Sequence, residues 1–316
     1  PSSKMETAGP PGLYDLFLSH VPAHQYSQLI IIPDGILAYF PFETLHKDGK
    51  YLIESVAVQY QYSTALLEKN TTDFSVAKTL AFVPFAQQWL NDSLPQLPAS
   101  QQEIANTAGL QFTDSNATKE EFLRNSNGSG IIHLATHAVA NNGADGLSYI
   151  AFSPGKTGNH LLYTQEIYNL RLTNAGLVIL SACETGAGRL VKGEGVLSLS
   201  RAFSYAGCPN IITSLWKADD FSTAYIATRI HQYLQEGYSI ATAVQKAKKD
   251  YLKDQSINPR LKQPYYWSHL VFIGNYEPSK SSVGQWLAAG AVFIVLVCFI
   301  VLRNSRLKLV KQPNSF

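Results

Sequence analysis

Cysteine is scarce in this chain. Only Cys183, Cys208 and Cys298 occur among 316 residues, too few and too scattered for a disulfide framework, and no CxxC pair offers metal-ligand spacing. Each thiol is expected reduced and unpaired. Cys208, just past a helix, and Cys298, in an apolar run, read as small buried hydrophobes. Charge is sparse too, at 15% against 46% hydrophobic residues; this excludes a disordered chain and allows one large core or two small ones. The formal net charge of +2 hides an asymmetry, because no acid follows Glu277 while Arg303, Arg306, Lys308 and Lys311 crowd the end. Without those four residues the balance turns acidic, and no basic stripe of the kind that holds nucleic acid is present. Internal repeats and low-complexity tracts are also absent. The chain opens on Pro1 without a signal peptide, so it is expected to be the C-terminal piece of something longer.

What is abundant is apolar sequence in runs. From Val283 to Leu302 there is no charge, and at about 1.5 Å per residue such a helix crosses a hydrocarbon core of roughly 30 Å. It is read as a transmembrane helix with Trp286 at one interface and the Arg/Lys cluster at the other. The positive-inside rule then places the tail in the cytoplasm and the globular part on the non-cytoplasmic side of a single-pass protein. The expected organisation is a Pro/Gly/Ser-rich linker over 1–11, one domain over 12–276, a juxtamembrane linker over 277–282, the membrane helix over 283–302 and a basic tail over 303–316.

Within the domain, apolar runs alternate with amphipathic stretches, which predicts an α/β fold with a mostly parallel central sheet of about six strands flanked by helices. The strands are placed at Leu29 to Pro33, Thr79 to Pro84, Ile131 to Thr136, Leu177 to Ala182, Asn210 to Leu215 and His269 to Gly274. Residues 51–62 alternate every second position, which suggests a small antiparallel N-terminal ribbon. Helices are expected at Ser100 to Ala108, with Ser100 and Glu103 forming a capping box, and at Thr118 to Asn125. Further helices are placed at Gly193 to Ala206, Ser222 to Glu236 and Ser239 to Leu252, the first two stopped by Gly207 and Gly237.

Two of the strands end in reactive residues. The run from Ile131 delivers His137, and the run from Leu177 delivers Cys183. Parallel strands of one sheet would bring the imidazole and the thiol out at the same edge, where open α/β sheets keep their chemistry. A neighbouring imidazolium would favour the nucleophilic thiolate. The glycines Gly186 and Gly188 permit a tight turn that leaves backbone N–H groups for an oxyanion hole. Two rival readings use the same residues. Gly186 to Val191 approximates a nucleotide-binding GxGxxG, but Val191 takes the third glycine position and Glu194 stands where a P-loop needs lysine. A metal site of His133, His137 and Cys183 would need a helix, whereas on a strand the histidines lie ~13 Å apart. His133 is therefore read as a satisfied core histidine or a supporting one behind the site, and no metal or cofactor is expected.

These residues, His133-Leu-Ala-Thr-His137 followed by Leu180-Ser-Ala-Cys-Glu-Thr-Gly186, resemble the CHAT domain, a caspase-like peptidase module of clan CD often found beside tetratricopeptide repeats. The likeness extends to Ile32-Pro-Asp-Gly35 with Pro41-Phe-Glu43, to Gly193 through Phe203, to Ser214 through Asp220, and to Pro264-Tyr-Tyr-Trp267 with Phe272-Ile-Gly274. It implies a caspase-like α/β fold in which His137 is the catalytic histidine and Cys183 the nucleophile. The residue after the histidine is usually glycine in this family and here is Ala138, whose N–H still donates.

The resemblance implies a cysteine endopeptidase acting through an acyl-enzyme in a signalling or defence role, with the N–H groups of Cys183 and Ala138 holding the oxyanion. Trp216, Asp219, Asp220 and Glu184 are candidates for the substrate wall. Asp219 and Asp220 would either select a basic side chain or cap the helix beginning near Phe221. The expected partners are a polypeptide substrate, a membrane reached through one helix, and a protein recognised by upstream repeats, with no nucleic acid. The alternatives are a catalytically inert caspase-like scaffold on a membrane anchor and a nucleotide-binding α/β module.

Overall fold

Eight strands form the central sheet: β1 (Gln28–Ile31), β2 (Ala57–Tyr60), β3 (Thr79–Val83), β4 (Gly109–Thr113), β5 (Ile131–Leu134), β6 (Leu177–Leu180), β7 (Ile211–Ser214) and β8 (Leu270–Ile273). This computed structural model describes residues 12–67, 74–87, 94–139, 148–156, 158–182, 188–191, 195–217 and 219–275. The spatial order is β1-β2-β8-β7-β6-β5-β3-β4. Every pairing is parallel except β7 with β8, which is antiparallel.

The six runs read as strands are all strands, each slightly shorter than expected. Two more join them. The stretch 51–62 is not an antiparallel ribbon: Leu52–Ser55 is a helical turn, and Ala57–Tyr60 pairs parallel with β1. Antiparallel pairing in this region is confined to His46–Lys47 against Lys50–Tyr51. All four residues of β2 are buried, so its alternation reflects a two-sided core and not a half-exposed ribbon. β4 ends the sheet, and its Gly109 packs against β3 so closely that a Cβ would lie 2.1 Å from the Thr79 carbonyl oxygen. With φ at +122°, only glycine suits this contact.

Side chains alternate across the sheet. Ile132, Leu134, Val178, Leu180 and Ile211 enter one core, with Phe122 from α2 (Lys119–Asn125) and Leu199 and Phe203 from α3 (Leu199–Tyr205). Ile131, Leu177, Ile179 and Ile212 enter the other, under Ile226 and Ile230 of α4 (Asp220–Gln235) and Val244 and Tyr251 of α5 (Ile240–Lys253). Each such aliphatic side chain contributes roughly 1.5–3 kcal/mol of transfer free energy. The caps explain the helix limits. Asp219 accepts from Ser222 N–H and Ser239 from Thr242 N–H. At the end of α4, Gly237 at φ 84° closes a Schellman motif with Tyr238 N–H donating to the Tyr233 carbonyl.

Two helix expectations need correction. The helix placed from Gly193 starts at Leu199, because Gly195–Ser198 pairs antiparallel with Gly188–Val191. Nucleotide-binding glycine loops open directly into a helix; here Gly188–Val191 is a strand, which removes the nucleotide-binding reading. In α1 (Ser100–Ile104), Ala99 holds the cap position and the Ser100 hydroxyl donates back to the Leu97 carbonyl, so no capping box forms. Glu103 is turned inward instead, at 2% exposure. Among the described residues no helix is long and apolar enough to cross a membrane; the run Val283 to Leu302 lies outside them.

One polar cluster is buried near the sheet. The Lys248 ammonium of α5 is fully buried and bonded to Glu43, whose other carboxylate oxygen accepts from Tyr60 Oη–H at 2.6 Å; Tyr60 Oη accepts in turn from Phe42 N–H. It ties the N-terminal segment to β2 and α5.

Candidate active site

β5 and β6 lie side by side near the centre of the sheet, with Leu134 and Leu180 as register partners. His137 and Cys183 are each the third residue after those partners in sequence. Cys183 and Glu184 lie outside the described residues; Ser181 and Ala182 lead up to them. At this edge a cleft of about 320 Å³ is lined by His137, Thr136, Ser181, Ala182, Asp219 and Asp220, among others. A larger hollow of about 680 Å³ lies around His20, His24, Lys47 and Lys50, but no strand-end pair of nucleophile and base lies there.

His137 is 6% exposed and packs its ring against Phe85, with centroids 5.0 Å apart. Its Nε2 lies 2.7 Å from the Pro95 carbonyl oxygen. A carbonyl can only accept, so Nε2 carries the proton and Nδ1 keeps the lone pair that a base requires. Burial lowers the pKa of His137, and the Lys217 charge lowers it further, against the Pro95 bond and Asp220. The resting ring is thus a neutral base, and positive charge arises only after it has taken a proton.

Ala138 follows in a two-residue strand whose register partner is Ile150. Ala151 N–H donates to the His137 carbonyl, so 137 and 151 form the hydrogen-bonded type of antiparallel pair. The next pair, 138 with 150, is then the type whose N–H points away from the partner strand. The Ala138 methyl is buried in the apolar core beside Ile150. The departure from glycine therefore faces the interior, and the N–H keeps its outward direction.

Trp216, expected in the substrate wall, stacks on Tyr265 and donates its indole N–H to the Tyr265 carbonyl. Asp219 lines the cleft and also caps α4. Asp220 accepts from Ala99 N–H at 2.8 Å, and burial raises its pKa. Lys217 stands exposed on the cleft rim.

Behind the cleft lies a buried group that sequence reasoning saw only in part. His133 of β5 contacts His231 of α4, Glu103 of α1 and Ser181. Burial drives His133 down to about 3 and His231 well below the usual histidine range, and it pushes Glu103 well above the carboxylate range. His269, also fully buried, falls to about 3. These histidines bind protons near pH 6.5 only when unfolded, so their stabilisation is complete above that pH and declines as pH falls toward 3. Glu103 acts in the opposite sense, being protonated more readily when folded. Three histidines outweigh one carboxyl, and each unmatched proton is worth about 1.4 kcal/mol per pH unit. The urea midpoint is therefore expected to fall between pH 7 and pH 5; an unchanged midpoint would contradict the neutral assignment.

Residues 11–275 match the CHAT domain. Tetratricopeptide repeat protein 28 from Mus musculus is 23% identical over 358 aligned positions, covering 91% of this chain and 14% of the relative. Its counterpart from Homo sapiens is likewise 23% identical, over 361 positions with the same coverage. The chain thus spans 14% of the length of these curated relatives. Among solved structures, the Saccharomyces cerevisiae separase-securin complex matches 78% of this chain and 15% of that one, with a TM-score of 0.54 at 12% identity. At such identity the likeness concerns the fold alone. The register that brings the two strand ends together lies inside the matched span, which takes in most of the sequence, and the chain belongs to the CHAT domain family.

Proposed function

We propose that the chain is a cysteine endopeptidase that cleaves polypeptides through an acyl-enzyme. The observation that carries this reading is the matched register of β5 and β6, which sets His137 and Cys183 the same number of residues past paired leucines. His137 Nδ1 takes the proton of the Cys183 thiol. The thiolate attacks the scissile carbonyl carbon, and the developing oxyanion is held by backbone N–H groups, with Ala138 supplying one. The protonated ring then gives its proton to the leaving amine, and water, deprotonated by the same ring, releases the acid and the free thiol.

The Pro95 carbonyl fixes the ring and its tautomer. The cleft wall of Asp219 and Asp220 would meet the substrate side chains. The run Val283 to Leu302 would tether the enzyme to a bilayer, a reading that rests on its length and apolarity. The repeats in the name of its distant relatives support a polypeptide partner bound through segments outside this chain.

The test is a peptide-library digest by the full chain. Wild type and Cys208→Ala are expected to cut, since the Cys208 thiol is buried and pushed up to about 12, and Cys183→Ala is expected not to. Absence of cleavage by the wild type, together with a Cys183 that alkylates no faster than Cys208 at pH 6, would instead identify an inert scaffold.

A further inference from the structure

The dyad uses His137 and leaves the second buried histidine without a task. His133 has no exposure and sits on the sheet face that carries Ile131 and Ile179. Packing alone would favour another aliphatic residue there, because burying a polar group is costly unless it is bonded. The bonding here links separate parts of the fold. His133 Nδ1 lies 2.8 Å from His231 Nε2, and His133 Nε2 lies 3.0 Å from Glu103 Oε2 and 2.9 Å from Ser181 Oγ. One end of the chain is left over: His231 Nδ1 is buried and has no partner.

That leftover atom sets the direction of the bonds. With the proton on His231 Nε2, the unmatched atom is a lone pair; with the opposite tautomer it is a buried N–H, the rarer and costlier orphan. His231 therefore donates to His133, and His133 Nε2–H is aimed at Glu103 and Ser181. Ser181 is the residue after β6 and stands two residues before Cys183. Its hydroxyl also reaches the Leu134 carbonyl of β5 at 3.5 Å. The bonds thus end on the two strand ends that carry the dyad.

We propose that His133 is a positioning residue for the nucleophile: the bond chain from His231 through His133 to Ser181, braced by Glu103, fixes the end of β6 from which the chain proceeds to Cys183. This rests on the dyad reading of the preceding section. The neutral state of the network suits the task, because neutral bonds hold the strand end by geometry alone and add no charge beside it. Misplacement of a reacting group by about 1 Å costs on the order of 100-fold in rate. A lost Ser181 bond should therefore appear in kcat and in the thiol's acidity, with little change in substrate affinity.

The experiment uses the full chain with Ser181→Ala, His133→Leu and His133→Gln. It measures kcat and KM on a cleaved peptide and the pH profile of iodoacetamide alkylation at Cys183, mapped by mass spectrometry. Ser181→Ala and His133→Leu should lower kcat by about 10- to 100-fold with KM nearly unchanged. They should also raise the pH midpoint of Cys183 alkylation, since a displaced thiol pairs less well with His137. His133→Gln keeps a donor where Nε2–H was and should recover most of the rate. Folded variants of Ser181 and His133 with wild-type kcat and an unmoved midpoint would overturn the proposal and leave His133 a packing residue. If His133→Leu does not fold, the milder Ser181→Ala decides by the same two readouts. A wild-type Cys183 no more reactive than Cys208 would overturn the dyad itself, and the positioning role with it.

Discussion

Glu43→Ala is expected to lower folding stability by about 3–5 kcal/mol, a large share of the roughly 5–15 kcal/mol typical of a domain. The Lys248 ammonium is fully buried, and its carboxylate partner is 2% exposed. Removing the carboxylate leaves a cation with no charge partner in a low-dielectric interior and deprives Tyr60 Oη of its acceptor. The loss is one of geometry as well as charge, since the same carboxylate holds Tyr60 and Lys248, and the Tyr60 hydroxyl in turn accepts from Phe42 N–H. Urea unfolding at neutral pH measures it, and Tm should fall by on the order of 10 °C. The double change Glu43→Met with Lys248→Met should recover much of the stability, because a buried pair contributes little beyond an apolar pair of similar volume. A single variant as stable as wild type would show the pair to be dispensable.

His137→Ala is expected to reduce kcat/KM for peptide cleavage by about 10²- to 10⁴-fold, the range contributed by a positioned acid–base group. In the proposed mechanism the ring serves acylation, where it takes the thiol proton and protonates the leaving amine, and deacylation, where it deprotonates water, so neither half-reaction would escape its loss. Cys183→Ala should be at least as damaging, since no nucleophile then remains. The double variant should be little worse than Cys183→Ala alone, because groups that act as one unit do not add. Initial rates on a single peptide for the three variants test this, and additive losses would argue against a shared dyad. Asp220→Asn is a useful contrast, because it keeps the bond to Ala99 N–H while removing a charge that raises the His137 pKa.

The strands were legible where both faces are buried. Runs such as Leu177-Val-Ile-Leu180 have no amphipathic ambiguity, and all four of these residues are buried. β4 is not legible for the opposite reason: it is an edge strand that begins on glycine and leaves Leu110 55% exposed, so its pattern resembles a loop. β2 reads as a ribbon because alternation fits any strand, and only its partner decides whether the sheet is parallel.

At the site, His137 could be read from its place at a strand end. The Pro95 carbonyl could not, since a backbone acceptor leaves no mark on residue identity. Glu103 and His231 were hidden by distance, lying 30 and 98 positions from the histidine they touch. The Glu103 pattern even favoured a capping box, and the bond to His133 won because a buried carboxyl needs a buried partner.

The lone antiparallel pairing of β8 with β7 divides the sheet into two blocks of opposite polarity. Strands β3 to β7 finish at the rim where His137 emerges, while β1, β2 and β8 finish at the other, where Asn275 N–H meets the side chain of Asn210 just ahead of β7. The polypeptide thus makes its exit from the back of the sheet, a strand length of roughly 13 Å from the front. A cargo fused after residue 275 would begin on the side away from the His137 cleft.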